Sequence, residues 1–347
     1  MRFESLPSNL IFKKMAKEKP SLEDIFSVMS ANETIEKAKE QKNPQKLWKE
    51  FWIEDEVCCL FADANVGKSI LAVQIGNSIA EKVLKNSEAV LYYDFELSKK
   101  QFELRYTDEK SKKTFNFNDR FIRVELNVDA VKDYCAAYNE AFDDVLMNGI
   151  EANINKYNSK VIIVDNITWL TNMKNTGTSG AKLMMKLCNI KKKYGISILV
   201  LAHTPKRNLA KPITQNCLGG TKAFANFFDA MFAVGKSIVD PSLRYIKQIK
   251  VRSGAFKYDT NHVQVCRIEK KDSFLGFTPI GHAEEERLLK AQKASSSTAT
   301  STRKSVRGKK RRVVHRDALT AAQLDTISQM AKNAFNKFKY VPSKKKS

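Results

Sequence analysis

Phe61-Ala-Asp-Ala-Asn-Val-Gly-Lys-Ser69 is the stretch that decides what this chain folds into. The apolar run Val57-Cys-Cys-Leu-Phe61 leads into it and the helical pattern Ile70-Leu-Ala-Val-Gln-Ile-Gly76 follows, so it reads as strand, loop, helix. A loop in that setting cradles phosphate, because successive backbone N–H groups and the positive end of the helix dipole face the anion. Phosphate contacts are therefore expected over Asp63, Ala64, Asn65, Val66, Gly67, Lys68, Ser69 and Ile70, with Lys68 reaching the terminal phosphates and Ser69 ligating Mg²⁺. The stretch departs from the pattern G-x-x-x-x-G-K-[ST] at Ala62, which stands where the first glycine belongs. If that position requires a positive φ, alanine is strained there.

Size and composition set the frame around this loop. A chain of 347 residues can bury a full α/β core, and its 43% hydrophobic and 28% charged residues suit a water-exposed globular body. No charged-then-apolar leader stands at the N-terminus and no apolar run approaches bilayer length, so no membrane partner is expected and a reducing cytoplasmic setting is. The six cysteines, scattered through apolar segments without a C-x-x-C pair, read as free thiols. The formal charge of +22 is attractive to polyanions. Fourteen Lys or Arg against Asp317 and Asp325 put a net +12 of it into residues 296–347, leaving +10 for residues 1–295. Body and tail are both basic.

Four regions follow from the order of the chain: an extension over 1–46, a core over 47–290, a basic flexible linker over 291–318 and a short amphipathic helix with a Lys-rich end over 319–347. In the extension, Ser21 is expected to cap a short helix. The aromatic cluster Leu47, Trp48, Phe51 and Trp52 either packs on the core sheet or touches a nucleotide base, and apolar aromatics build cores first. Ala89 to Phe95 is a strand that delivers Glu96 to its carboxyl end, as a catalytic carboxylate or as a solvated turn residue. Residues 120–126 form another strand, and Val131 to Met147 is expected to be one long helix.

Lys160-Val-Ile-Ile-Val-Asp165 is a buried parallel strand ending in a carboxylate, the second half of a phosphate-loop site, with Asp165 holding the water shell of the Mg²⁺ that Ser69 touches. The segment 171–180 with Lys174 is a loop, and a helix then runs to Gly195. Ile196 to Ala202 is the next buried strand, ending at His203. The loop after it carries Lys206, Arg207 and Lys211, a solvated loop or, with Lys174, a nucleic-acid contact. Further on come a helix over 221–228, strands over 229–234, 244–252 and 262–268 with a hairpin turned near Ser253-Gly254, and the end of the body at Phe274 to Pro279. The helix with Leu324, Ile327, Ala331 and Phe335 on one stripe needs a partner surface, on this chain or on another protein.

Residues Leu47 to Gly254 resemble the RecA-like ATPase core, in particular the replicative-helicase branch that includes DnaB and the plasmid helicase RepA, carried by bacterial plasmids, mobile elements and phages. The resemblance rests on five ordered motifs: the phosphate loop, Tyr93-Asp-Phe-Glu96-Leu-Ser98 followed by Gln101 and Arg105, the strand to Asp165, the strand to His203, and Lys250-Val-Arg252-Ser-Gly254. It implies an α/β fold with a mostly parallel central sheet flanked by helices; the residues themselves add a C-terminal hairpin and a basic tail, and the tail has no counterpart in that family. The resemblance further implies Glu96 as the general base, His203 as a γ-phosphate sensor, and Arg252 and Lys250 reaching into the neighbouring subunit's ATP site. The function implied is a Mg²⁺-dependent, ATP-hydrolysing helicase or translocase acting on single-stranded or forked DNA in a homo-oligomeric, hexameric ring. The rival is a non-motor, ATP-switched DNA-binding or assembly factor.

Overall fold

A strand covered on both faces reads as an unbroken apolar run, and the chain's runs of that kind assemble the middle of one sheet. The computed structural model of the chain describes residues 26–168, 180–219 and 222–290. The chain divides between Pro44 and Gln45 into two units. In the first, helix α1 (Ala31–Lys39) starts at a capping box formed by Ser30 and Glu33. The segment around Ser21 lies outside the described residues.

In the second unit β1 (Lys46–Trp48) and β2 (Trp52–Ile53) pair as a small ribbon. Five buried strands follow: β3 (Val57–Ala62), then β4 (Ala89–Asp94) before the edge strand β5 (Phe121–Glu125), β6 (Ser159–Asp165), β7 (Ser197–His203) and β8 (Ala230–Lys236). They are followed by β9 (Leu243–Lys250), β10 (Val263–Lys271) and β11 (Phe274–Ala283). The nine-stranded sheet runs β11-β10-β9-β8-β3-β7-β6-β4-β5. Strands β3 to β8 are mutually parallel, and β9, β10 and β11 extend the sheet antiparallel. The expected α/β architecture, mostly parallel with helices on its faces, is the one observed.

Helix α2 (Lys68–Lys82) covers one face together with Trp48, Phe51 and Trp52. The aromatic cluster is core: the Phe51 ring stacks on Tyr258 with centroids 4.8 Å apart. On the other face, α5 (Phe142–Tyr157) and α6 (Gly180–Tyr194) bury Leu146, Ile150, Ile154, Leu183 and Leu187. Helix α3 (Lys99–Arg105) follows β4 through a capping box of Ser98 and Gln101. No helix among the described residues is long and apolar enough to cross a membrane.

Three expectations change. The single helix over 131–147 is two, α4 (Val128–Tyr138) and α5, broken at Asn139 in the left-handed region (φ 54°). Asparagine tolerates that conformation well enough to end a helix, and Tyr134 and Tyr138 consequently sit exposed on α4. The helix over 221–228 is a 3₁₀ turn, Lys222–Phe227. The body also does not end at Pro279, because β10 and β11 form a second hairpin through Asp272 and Ser273, both at positive φ (48° and 70°). No glycine marks that turn, so the usual hairpin signal is missing from its sequence. Helix α7 (Glu285–Leu289) closes the described body.

Candidate active site

Strands β3, β7, β6 and β4 lie side by side and parallel, so whatever follows each of them meets at one edge of the sheet. The segment after β3 is the loop Asp63 to Gly67. Gly67 caps α2 with φ +105°, a conformation that favours glycine, and a Cβ there would press on Ile268 Cδ1 at 2.5 Å. Asn65 is also left-handed, at φ 59°. Ala62 is not strained: it is the last residue of β3, fully buried, paired with His203 on one side and Val234 on the other. The conditional expectation of strain at Ala62 is thus corrected, because the left-handed turns lie further along the loop. Ala64 and Asn65 are exposed at its tip, Val66 and Lys68 are buried, and Ser69 and Ile70 are half-buried in the first turn of α2.

Asp165 ends β6, 1% exposed. The Tyr92 hydroxyl donates to its Oδ2 at 2.6 Å, while Oδ1 is buried with no donor. Burial pushes this carboxyl above its ordinary range, against the opposing pull of the Lys68 charge and the nearby Ser69 hydroxyl. A buried carboxylate oxygen without a donor, on a carboxyl that feels the Lys68 charge and the Ser69 hydroxyl, suits a hydrated Mg²⁺ held by Asp165 and Ser69.

Glu96 stands in the turn after β4. That turn is built by Asp94, whose Oδ1 accepts the Glu96 and Leu97 amides at 3.1 and 3.0 Å, and Arg123 Nε locks Asp94 Oδ2 at 2.9 Å. Glu96 Oε1 accepts a bond from Asn166 Nδ2 and lies 3.5 Å from His203 Nε2, while Asn166 Nδ2 and His203 Nε2 are 3.1 Å apart. The bond with His203, then the charge of Lys68 and the bond from Asn166, hold the Glu96 carboxyl below its ordinary range against its partial burial. An ionised carboxylate in this turn can accept a proton from water. Asn166 and Tyr92 were not singled out in the sequence. Asn166 follows Asp165 directly, but its link to Glu96 spans 70 positions and no local pattern carries it.

The loop after β7 differs from the expectation at Arg207. Its Nε and Nη2 grip Asp63 Oδ2 at 3.1 and 2.8 Å, the Thr204 hydroxyl donates to the same carboxylate, and Nη1 donates to the Lys211 carbonyl at 3.0 Å. Arg207 is spent on the phosphate loop and is not a free cation for nucleic acid. Lys206 and Lys211 remain exposed, and Lys174 lies outside the described residues. Lys250 and Arg252 are not brought to this edge. Lys250 pairs in register with Met231, near the amino end of β8, and donates to the Ala225 carbonyl at 3.2 Å. Arg252, 63% exposed, forms an ion pair with Asp229. Lys68, Ser69, Glu96, Asp165 and His203 therefore converge within one chain, and Lys250 and Arg252 sit at the other end of the sheet.

A family model described as an AAA domain, AAA_25, matches residues 24–208, more than half of the chain. No curated protein matches the sequence. Among solved structures, a KaiC-like protein from the hyperthermophilic archaeon Pyrococcus horikoshii OT3 is 14% identical and aligns over 66% of this chain and 91% of its own, with a TM-score of 0.46.

Proposed function

Because this chain belongs to the AAA_25 family of AAA domains, a P-loop ATPase family, we propose that it hydrolyses ATP with Mg²⁺ and uses the cycle to act on DNA, as a ring-forming helicase or translocase of a plasmid, phage or mobile element. The observation that carries this reading is the convergence of Lys68, Ser69, Glu96, Asp165 and His203 at the carboxyl ends of four adjacent parallel strands.

Each residue then has a task that its surroundings suit. The amides of Asp63 to Ser69 hold the phosphates at the positive end of α2. Lys68, buried at 6% exposure, places its ammonium against the terminal phosphates. Ser69 and Asp165 would hold a hydrated Mg²⁺, which when bound would neutralise charge on the phosphates. Glu96 orients the attacking water and takes its proton at Oε1 or Oε2, its carboxyl kept ionised by His203, Lys68 and Asn166. His203 contacts Glu96 and stands on β7, whose next residues reach Asp63 through Thr204 and Arg207, so it is placed to report phosphate state to the loop carrying Lys206 and Lys211. In a hexamer, Arg252 and Lys250 reach from the far end of the sheet into the site of a neighbouring copy. The +22 charge supports a polyanion partner.

The second reading, an ATP-switched DNA-binding or assembly factor, is favoured by the pairing of Arg252 with Asp229 inside its own chain. Unwinding of a forked duplex, with Lys68→Ala as control, separates the two. The motor parts the strands in an ATP-dependent way and the variant does not. A protein that binds ATP and the fork but leaves the fork intact contradicts the motor.

A further inference from the structure

Arg244, the second residue of β9, lays its side chain on the phosphate loop. Its Nε donates to the Val66 carbonyl at 3.1 Å, and its Nη1 donates to the Pro241 and Leu243 carbonyls at 2.8 and 3.0 Å. Burial alone pushes its pKa below the ordinary arginine value, with no carboxylate acting against it. A half-buried guanidinium spent on three carbonyls costs desolvation that a surface arginine avoids, and one of those carbonyls is in the loop that would hold phosphate.

The peptide that carries the Val66 carbonyl also carries the Gly67 N–H. A trans peptide is planar with its C=O and N–H antiparallel, so fixing one direction fixes the other. Pulling the Val66 oxygen toward β9 turns the Gly67 N–H away from β9. The neighbouring strands back the same residue: a Cβ on Gly67 would meet Ile268 Cδ1 of β10 at 2.5 Å and Phe277 Cζ of β11 at 3.1 Å. Strand β11 is in turn tied to α2, with the Gln74 amide bonding the Phe277 N–H and carbonyl at 2.8 and 3.1 Å. The antiparallel extension thus forms a backstop for the loop, and Arg244 is its polar contact.

We infer that Arg244 is a positioning residue for nucleotide binding, pinning the Val66–Gly67 peptide so that the Gly67 N–H faces the bound phosphates. This rests on the phosphate-loop reading above. It predicts an effect shared by ADP and ATP, because loop amides act on the phosphates that both nucleotides carry.

Two substitutions isolate the pin. Glutamine places its amide nitrogen the same number of bonds from Cα as arginine Nε, so Arg244→Gln keeps a donor and loses the charge. Methionine places a methyl there, so Arg244→Met loses both. Calorimetric titration of the full chain with ADP and with ATP should show Arg244→Met weakened about tenfold for both nucleotides, roughly 1.4 kcal/mol, while Arg244→Gln stays within about threefold of the unaltered protein. Urea midpoints of the nucleotide-free variants accompany the titrations. If Arg244→Met does not fold, Arg244→Lys replaces it, since lysine keeps the charge but moves the donor one bond outward, and the same tenfold loss is predicted. Unchanged affinity in Arg244→Met (or in Arg244→Lys where it takes its place), a loss confined to ATP, or an equal loss in Arg244→Gln overturns the inference. If the unaltered protein binds neither nucleotide, it is the phosphate-loop reading that fails.

Discussion

At the scale of single residues, Asp165 shows the tension between folding and function most clearly. Its carboxylate is buried with one oxygen lacking a donor, a cost in the nucleotide-free protein. The sign follows from its raised pKa. A carboxyl whose folded value lies above its unfolded value destabilises the fold at pH above the folded value, and the penalty fades as pH falls through it. Asp165→Asn keeps an oxygen for the Tyr92 hydroxyl and removes the charge. At pH 8 it should raise the melting midpoint of the nucleotide-free protein by a few degrees, about 1 kcal/mol, and the gain should shrink as pH is lowered. A variant less stable than the parent at pH 8 contradicts the cost assigned to this charge. Glu96 has the opposite sign: its lowered pKa gives a stabilisation present above the ordinary carboxylate range and lost as pH falls through the folded value. Lys68, Ser69 and Asp165 were legible because each sits at a fixed place in a strand–loop–helix or strand-end pattern. Asn166, Tyr92 and Arg244 were not, because their work depends on partners 70, 73 and 178 positions away.

At the scale of elements, the loop after β7 is held at both ends. Arg207 fastens its start to Asp63, and at its far end Lys247 of β9 and Glu285 of α7 fasten Ile213. Glu285 is fully buried and accepts from Lys247 at 2.6 Å, from the Ile213 amide at 2.7 Å and from the Tyr245 hydroxyl at 3.0 Å. Removing it strands a buried ammonium, an amide and a phenol together. Glu285→Ala should therefore cost about 3–5 kcal/mol in urea unfolding, with Glu285→Gln losing less because it retains an acceptor. A Glu285→Ala variant within about 1 kcal/mol of the parent contradicts the network. The parallel strands were readable from their continuous apolar runs, each bounded by a helix or a loop. The break between α4 and α5 and the turn at Asp272-Ser273 were not, because asparagine, aspartate and serine take left-handed conformations there without the glycine that announces them.

At the scale of the whole molecule, the sheet separates two chemistries. One end gathers the phosphate loop, both carboxylates and His203, and the other carries Lys250, bonded to the Ala225 carbonyl, and Arg252, paired with Asp229. The chain as a whole carries a formal charge of +22. The AAA_25 match stops at residue 208, so the antiparallel extension that backs Gly67 lies outside it, as do the basic segments beyond residue 290. The proposed role of this site is ATP hydrolysis in the service of DNA. Its most direct test is the ATP hydrolysis rate of the full chain with Mg²⁺, with and without single-stranded DNA, beside Lys68→Ala. Hydrolysis should rise when DNA is added and fall by at least roughly 100-fold in the variant. A rate that DNA leaves unchanged, or that Lys68→Ala retains, would contradict it.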